Sequence, residues 1–338
     1  KRLKMINICF FLLFFLNYAV ELYIYSVFIR IKMLYNYCMI VTFEKKINMK
    51  KSLVFIVCLA IGVSLYAQFP SPDVVFGLWP NGAPTENGLT GDEIDYGDHV
   101  SNVTEPTLSV FLPEKCNGLA ILVCPGGGYV DVWDRGEGYS LADWYTEQGI
   151  VYAVLKYRLP NGHTEVPLDD VHRAMDILKE KQAEYGFKKL GIQGCSAGGH
   201  LAATAATHFD TPEHRPDFQI LFYPVITADL SFSHRGSVYG LLGRTPTPEM
   251  IELYSNEKQV TKDTPPAFIM ANSDDYLVPV RNSIEYYTAL QANRVSATLH
   301  VYPVGGHGWF ANSNFVYAEQ WKSDLKQWLG QIVKSLDN

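Results

Sequence analysis

The sequence predicts an α/β fold with a mostly parallel central sheet and helices on both faces. Three features of residues 68–338 indicate this class: apolar runs of strand length, helical patterns that alternate with them, and glycine-rich turns where several runs end. Alternation of this kind favours a parallel sheet because each intervening helix returns the chain to the same end of the sheet. The predicted strands cover 108–112, 119–124, 151–158, 190–193, 218–226, 267–271 and 297–302, and the predicted helices cover 138–148, 169–183, 197–207 and 317–334.

Composition and charge exclude some classes of partner. Hydrophobic residues make up 48% of the 338 residues and charged residues 19%, which is enough apolar material for a large core. Residues 1–67 contain nine Lys or Arg and two Asp or Glu, a net charge of +7. The whole chain carries −7, so residues 68–338 carry −14. An acidic body argues against nucleic acid as a partner and against tight binding to anionic membranes.

The segment 49–67 has the pattern of a secretory signal peptide. Met49 is followed by two lysines, an apolar run over 53–63 and a small residue, Ala67. We therefore expect cleavage after Ala67 and a secreted or periplasmic protein.

Residues 1–48 allow two interpretations. They are apolar and aromatic, and one stretch is long enough for a membrane span. Alternatively they are an upstream extension that is not part of the natural protein, because they begin with Lys, have the bias of translated AT-rich DNA and precede a complete signal. We favour the second interpretation, which leaves no stable membrane span in the mature protein. Residues 68–338 are then a single domain, with 227–265 as a candidate insertion over the site.

The cysteines do not indicate a metal site. Cys116, Cys124 and Cys195 follow the signal segment and include no C-x-x-C spacing. One disulfide is conceivable, but free or buried thiols are the favoured interpretation.

A G-x-S-x-G motif carries the strongest chemical signal. Gly194-Cys195-Ser196-Ala197-Gly198 lies between a predicted strand and a predicted helix, the context of the nucleophile turn of the α/β-hydrolase fold. Such a turn is too tight for side chains at the two glycine positions. We predict Ser196 as the nucleophile and not Cys195, because this turn presents its middle residue. The alternative is a glycine-rich strand–helix turn without chemistry.

A serine nucleophile needs a base, and the base needs a carboxylate that orients it. The order along the chain in this fold is serine, acid, histidine. His307 follows the last predicted strand and is the candidate base, whereas His200 lies in the nucleophile helix and is predicted to be structural. Asp275 follows the preceding strand and is the candidate acid. Asp274 is the reserve candidate for the acid, and its alternative role is to cap or hydrogen-bond the turn.

A glycine-rich loop follows the strand at 119–124. We predict that the backbone N–H groups of Gly127, Gly128 and Ala197 form an oxyanion hole. The loop lacks the G-K-[S/T] ending and the G-x-G-x-x-G pattern of nucleotide-binding loops.

Other residues near these motifs have candidate roles. The aromatic side chains of Tyr129, Trp133 and Trp309 flank the predicted site and are candidates for stacking on a sugar or phenolic ring, the alternative being core packing. Arg158 is predicted to hold loops together. Glu137 is either a charge at a helix N-terminus or a loop anchor.

Together these motifs resemble those of the BD-FAE-like α/β-hydrolases, bacterial secreted carbohydrate esterases that include acetylxylan and feruloyl esterases. The resemblance covers roughly 105–335. It implies hydrolysis of acetyl or feruloyl esters on plant polysaccharides or their oligosaccharides, with Ser196, Asp275 and His307 as the triad and no metal or organic cofactor. The similar segments are 124–129, 137–139, 155–160, 194–201, 241–243, 264–266, 274–279 and 306–308.

Two rival functions use the same residues differently. A prolyl-oligopeptidase-like serine peptidase shares the motif order, but its usual N-terminal propeller could not fit in 68–103. A non-catalytic carbohydrate-binding protein on a hydrolase fold is the second rival, and the intact serine, aspartate and histidine argue against it.

Overall fold

The computed structural model describes residues 69–309 and 314–336. The predicted signal peptide at 49–67 and the extension at 1–48 lie outside these residues. Across the described part of the chain, none of the helices combines the length and apolar character that crossing a membrane requires.

Among the described residues, eight strands form the central sheet, and a further three form a small separate sheet. The strands are β1 (Val74–Gly77), β2 (Ile94–Asp95), β3 (Val100–Ser101), β4 (Thr107–Phe111), β5 (Leu119–Cys124), β6 (Asp131–Val132), β7 (Val151–Lys156), β8 (Lys189–Cys195), β9 (Gln219–Phe222), β10 (Ala267–Asn272) and β11 (Ala297–Tyr302). The order in the large sheet is β1-β4-β7-β5-β8-β9-β10-β11. Within this sheet, β4 pairs antiparallel with β1 and β7, and all other pairs are parallel. The predicted fold class is confirmed.

Helices cover both faces of the sheet. Successive side chains of a strand point to opposite faces, and β5 follows this rule: Leu119, Ile121 and Val123 join one apolar cluster, whereas Ala120 and Leu122 join the other. The α-helices are α1 (Ala142–Thr146), α2 (Val166–Glu180), α3 (Gln182–Tyr185), α4 (Ser196–Thr207), α5 (Arg235–Leu242), α6 (Pro248–Leu253), α7 (Arg281–Ala292) and α8 (Ala318–Lys334). The first cluster includes residues of α1 and α8, and the second includes residues of α2 and α4.

Some predicted boundaries were wrong. β9 ends at Phe222 and not at 226, because Tyr223 has a φ of +37° and Pro224 has no N–H for a strand ladder. The predicted helix at 138–148 is α-helical only over α1 and is preceded by a π turn and a 3₁₀ turn. Helices α5, α6 and α7 and the short strands β1, β2, β3 and β6 were not predicted.

A buried ion pair fastens the loop-rich segment before β4 to helix α2. Arg158 and Asp170 are 4% and 0% exposed, and Nη2 of Arg158 lies 2.6 Å from Oδ1 of Asp170. The same carboxylate accepts hydrogen bonds from the indole N–H of Trp79 and the backbone N–H of Arg158, while the guanidinium also donates to the carbonyl of Thr85. Arg158 therefore holds loops together, as predicted.

The three cysteines after residue 68 are free thiols, so the favoured interpretation of their spacing is confirmed. Cys124 and Cys195 are buried and Cys116 is partly exposed.

Candidate active site

The predicted site residues lie at the carboxyl ends of neighbouring parallel strands. Ser196 follows β8, the glycine-rich loop follows β5, and Asp275 and His307 follow β10 and β11. Because carboxyl ends of parallel strands meet at one edge of a sheet, residues that are far apart in sequence become neighbours there. Ligands of open α/β sheets bind at this edge.

Ser196 occupies a strained backbone turn between β8 and α4. Its φ is +52°, an uncommon value for a residue with a side chain. A Cβ added at Gly194 would overlap the carbonyl of Gly198, and one added at Gly198 would overlap the carbonyls of Cys124 and Pro125. The predicted reason for the two glycines is confirmed: the strand, the helix and the neighbouring loop approach too closely for side chains.

The imidazole of His307 joins the serine to a carboxylate. Its Nε2 lies 2.8 Å from Oγ of Ser196, and its Nδ1 lies 2.7 Å from Oδ2 of Asp275. An ionised carboxylate only accepts hydrogen bonds, so Nδ1 carries the proton and Nε2 is free to accept the serine hydroxyl. This is the tautomer that can remove a proton from Ser196.

Two adjacent aspartates have different partners. Oδ1 of Asp275 accepts the backbone N–H groups of Leu277 and Val278, which fixes the carboxylate while Oδ2 faces His307. Asp274 instead accepts the N–H groups of Gly305 and Gly306 at 3.2 and 2.8 Å, and so ties down the loop that carries the histidine.

Asn272 also supports the histidine loop and was not singled out in the sequence. It is fully buried at the end of β10, and its amide nitrogen donates to the carbonyl of Gly306 at 3.0 Å. A polar residue directly after an apolar predicted strand was the available signal.

The glycine-rich loop presents free backbone donors beside Ser196. Gly127 and Gly128 have φ values of +128° and +65°, which glycine adopts readily. Among the described residues, the N–H groups of Gly127, Gly128 and Ala197 have no hydrogen-bond acceptor in the protein. The loop is close to the nucleophile, since a Cβ added at Gly126 would lie 2.9 Å from Cβ of Ser196.

The segment 227–265 packs against this loop. It contains α5 and α6, and a Cβ added at Gly240 would lie 2.8 Å from the carbonyl oxygen of Gly128. A Cβ added at Gly128 would lie 3.8 Å from Cε1 of His234.

Two of the three aromatic candidates are core residues. Tyr129 is 3% exposed, and its hydroxyl hydrogen-bonds with Nδ1 of His200 at 3.0 Å. Trp309 is 2% exposed and packs against Phe222, Tyr223 and Phe315. The prediction that these two rings stack on a substrate is wrong, because their faces are used for packing.

Of the three aromatic candidates, Trp133 is the one whose side chain reaches solvent. It is 37% exposed and stacks on His99, whose other neighbour in the stack is Tyr96.

Two further titratable groups beside the serine are structural. Burial raises the pKa of the Cys195 thiol well above its usual value, so this residue stays protonated and is a poor nucleophile. Burial lowers the pKa of His200 to about 4, and its Nε2 hydrogen donates to the carbonyl of Tyr254. His200 is therefore a neutral packing residue, as predicted.

A predominantly parallel sheet, a strained serine turn and a histidine–aspartate pair at the carboxyl edge define a protein of the α/β-hydrolase class. Comparison of the sequence with known families agrees: the profile described as alpha/beta hydrolase fold matches residues 126–311. The chain belongs to this family, and the family assignment made from its motifs is confirmed.

Two of the curated proteins that the sequence resembles are bacterial enzymes. The chain is 41% identical over 228 residues to an acetylxylan esterase of Xylanibacter ruminicola, covering 66% of this chain and 47% of that protein. It is 38% identical over 204 residues to endo-1,4-beta-xylanase B of Butyrivibrio fibrisolvens, covering 56% of this chain and 32% of that protein. The chain thus spans less than half the length of these two relatives.

A solved structure shares the fold over most of the chain. The acetyl ester-xyloside bifunctional hydrolase of Caldicellulosiruptor lactoaceticus has a TM-score of 0.65 and 32% sequence identity. The match covers 79% of this chain and 98% of that structure.

Proposed function

We propose that this protein is a serine carboxylesterase that removes acetyl or feruloyl groups from a plant cell-wall polysaccharide such as xylan, or from its oligosaccharides. One observation carries the proposal: a continuous hydrogen-bonded chain from Oγ of Ser196 through His307 to Asp275, with distances of 2.8 and 2.7 Å. This arrangement generates a nucleophilic oxygen at neutral pH.

The reaction proceeds in two acyl-transfer steps. Nε2 of His307 takes the hydroxyl proton as Oγ of Ser196 attacks the ester carbonyl, and Asp275 stabilises the imidazolium that forms. The tetrahedral intermediate collapses, the proton passes from His307 to the sugar oxygen, and the alcohol leaves. His307 then takes a proton from water as the water oxygen attacks the acyl-enzyme. When this second tetrahedral intermediate collapses, His307 returns the proton to Oγ of Ser196 and the carboxylic acid leaves. Neither a metal nor an organic cofactor is needed for these steps.

The oxyanion would be held by the N–H groups of Gly127, Gly128 and Ala197. No described residue accepts a hydrogen bond from these groups, which supports their availability to the substrate oxygen. Ala197 also lies in the first turn of α4, where the helix dipole favours negative charge. Removing one such donor typically costs about 10²–10³-fold in kcat.

A cleft that begins at the glycine-rich loop favours a polysaccharide as the substrate. The cleft has a volume of about 630 Å³, and its lining includes Val130, Asn102, Tyr239 and Arg244. Open clefts with aromatic and hydrogen-bonding side chains suit sugar units. Exposed Trp133 follows Val130 by three residues and is a candidate sugar contact. Residues of the segment 227–265, the candidate insertion over the site, form part of the cleft wall.

Export is part of the proposal, because polymeric xylan is met outside the cell. The signal-like segment 49–67 supports cleavage near Ala67 and a secreted or periplasmic enzyme, with 68–338 as the mature domain.

A product-release assay tests the substrate. Purified protein is incubated in parallel with acetylated xylan and with feruloylated arabinoxylan, and acetate and ferulate are quantified against a Ser196→Ala control. Serine-dependent release of either acid supports the proposal, and the larger rate identifies the acyl group. If neither acid is released while a simple chromogenic acetate is cleaved, the polysaccharide assignment is wrong.

A further inference from the structure

A buried carboxylate beneath the glycine-rich loop has no role in the mechanism above. Glu137 is 9% exposed. Its Oε2 accepts the backbone N–H of Gly126 at 2.7 Å, and its Oε1 accepts the hydroxyl of Tyr223 at 2.9 Å. A buried carboxylate is expensive unless it is hydrogen-bonded, so both contacts are needed to keep it there.

On one side, the contacts of Glu137 reach the proposed oxyanion hole through Gly126. Gly126 immediately precedes the two glycines whose N–H groups are free, and a Cβ added at Gly126 would lie 2.5 Å from Oε2 of Glu137 and 2.9 Å from Cβ of Ser196. Backbone hydrogen bonds connect the same residues: the N–H of Trp133 donates to the carbonyl of Gly126, and the N–H of Glu137 donates to the carbonyl of Trp133. Moving the Glu137 carboxylate would therefore move the loop relative to the serine.

On the other side, the contacts of Glu137 reach the proposed general base, His307, through Tyr223. The ring of Tyr223 contacts His307 edge-on, with ring centroids 4.8 Å apart and planes inclined by 62°. Tyr223 is 1% exposed, its backbone N–H donates to the carbonyl of Met270 at 2.6 Å, and its φ of +37° is unfavourable for a tyrosine. A residue held in a strained conformation indicates that its side-chain direction is fixed by its surroundings.

Opposing influences act on the charge of Glu137. Burial is the largest and raises the pKa of this carboxyl group above its usual value, whereas the hydrogen bonds from Gly126 and Tyr223 and the proximity of His307 lower it. The geometry favours a carboxylate, because each of its two oxygens accepts a hydrogen bond. The other titratable groups that face it are Tyr223, Tyr157 and Cys195, and burial raises the pKa of each of them, so they are neutral. His307 is thus the group nearby whose charge changes during the reaction.

We propose that Glu137 is a positioning residue for ester cleavage: its carboxylate fixes the oxyanion loop through Gly126 and the histidine through Tyr223, and its negative charge stabilises the imidazolium of His307. This inference rests on the proposed function. It assigns the site two carboxylates, with Asp275 in direct contact with the base and Glu137 acting through Tyr223 and through space.

The test separates the charge of Glu137 from its hydrogen bonds. Glu137→Gln keeps an acceptor for Gly126 and lets the Tyr223 hydroxyl pair with the amide, but it removes the negative charge. Tyr223→Phe keeps the charge and removes one hydrogen bond. Glu257→Gln is the matched control, because Glu257 is a partly buried carboxylate that accepts a hydrogen bond from Thr227, and neither residue is among those that line the cleft.

The readouts are kcat, KM and the pH profile of kcat/KM on a chromogenic acetate ester, with melting temperature as a check on folding. For Glu137→Gln we expect kcat to fall about 10-fold with little change in KM, which corresponds to about 1.4 kcal/mol of lost transition-state stabilisation. Its acidic limb should move to lower pH, because protonated His307 loses a stabilising anion. Tyr223→Phe should lower kcat about 3–10-fold, and Glu257→Gln should behave as wild type.

Labelling of Ser196 by a fluorophosphonate keeps this test independent of the proposed function. If wild type is labelled and active but the Glu137→Gln and Tyr223→Phe variants match it in kcat and pH profile, the positioning role is wrong and the esterase proposal stands. If folded wild type is neither labelled nor active, the proposed function itself fails. A loss of kcat that tracks melting temperature, with no shift of the acidic limb, reduces Glu137 to a structural residue and also overturns the inference.

Discussion

Oδ2 of Asp275 lies 2.7 Å from Nδ1 of His307, and the side chain of Asp275 is 1% exposed. Its neighbour Asp274 is directed to the backbone of Gly305 and Gly306 instead. A single step along the chain therefore separates the carboxylate that orients the proposed base from one that shapes its loop.

Substitution of these two aspartates should have very different effects. Asp275→Asn should lower kcat by about 10³–10⁴-fold, because an amide at this position favours the wrong imidazole tautomer. Asp274→Asn keeps one acceptor for the glycine loop and should lower kcat less than about 10-fold. Steady-state kinetics on a chromogenic acetate compares the variants, with circular dichroism to confirm folding. Equal losses in both would remove the distinction between the two roles.

The glycine of the serine turn should not tolerate a methyl group. Gly198→Ala places Cβ on the carbonyl oxygens of Cys124 and Pro125, so the oxyanion loop or the helix must shift. We expect destabilisation of about 1–3 kcal/mol and a loss of about 10² in kcat from misplacement of the site. Gly330→Ala is the control: it lies in α8 with open space around the added Cβ, and it should stabilise the protein by up to about 1 kcal/mol. Urea unfolding measures both, and a stable, active Gly198→Ala would contradict the geometry.

The burial of His200 should make stability depend on pH. Its pKa is lowered to about 4 in the folded protein, from an ordinary value of 6.5, because burial disfavours the charged ring. The unfolded chain therefore binds a proton at a pH where the folded protein does not, so this contribution is fully present above pH 6.5 and is lost as pH falls toward 4.

The variant His200→Gln isolates that contribution, because glutamine can accept from Tyr129 and donate to Tyr254 without titrating. Between pH 7.5 and pH 5, wild type should lose about 2 kcal/mol more unfolding free energy than the variant. Burial also lowers the pKa of His172 to about 4, but its contribution to the pH dependence of the unfolding free energy is the same in both proteins. Parallel urea titrations give the comparison, and identical pH slopes would rule out the assigned role of His200.

Breaking the buried ion pair should be costly. Asp170→Ala leaves the Arg158 guanidinium buried without its carboxylate and should destabilise the protein by about 3–5 kcal/mol. Glu184→Ala removes a carboxylate from an exposed pair with Lys181 and should cost less than about 1 kcal/mol. Thermal and urea unfolding measure the difference. Similar small losses in both variants would mean that Asp170 does not hold the loop-rich segment to α2.

The sequence predicted the parts of the fold that depend on local pattern. The strands β5 and β11 begin and end where expected, because each is an apolar or β-prone run bounded by turn residues. Helix α7 was missed because few of its residues are buried, which leaves a weak apolar stripe. The edge strand β1 was missed because it lies in a segment rich in glycine and proline.

The residues of the site also fall into those that local motifs identify and those that only the folded structure brings together. Ser196, Asp275 and His307 could be named from motifs, since the chain order of an α/β hydrolase is visible in one dimension. The partnership of Glu137 with Tyr223 could not, because the two residues are 86 positions apart and meet only after β9 pairs within the sheet. Tyr129 and Trp309 were misjudged because sequence proximity to a site does not tell which way a ring points.

The most direct test of the account is the site of covalent attack. Folded wild-type protein is treated with a fluorophosphonate, digested and mapped by mass spectrometry beside Ser196→Ala. The account predicts one adduct per chain on the peptide that contains Ser196, no adduct on the variant, and loss of acetate-ester hydrolysis in step with labelling. An adduct on Cys195 or on any other residue, or undiminished hydrolysis by Ser196→Ala, would contradict it.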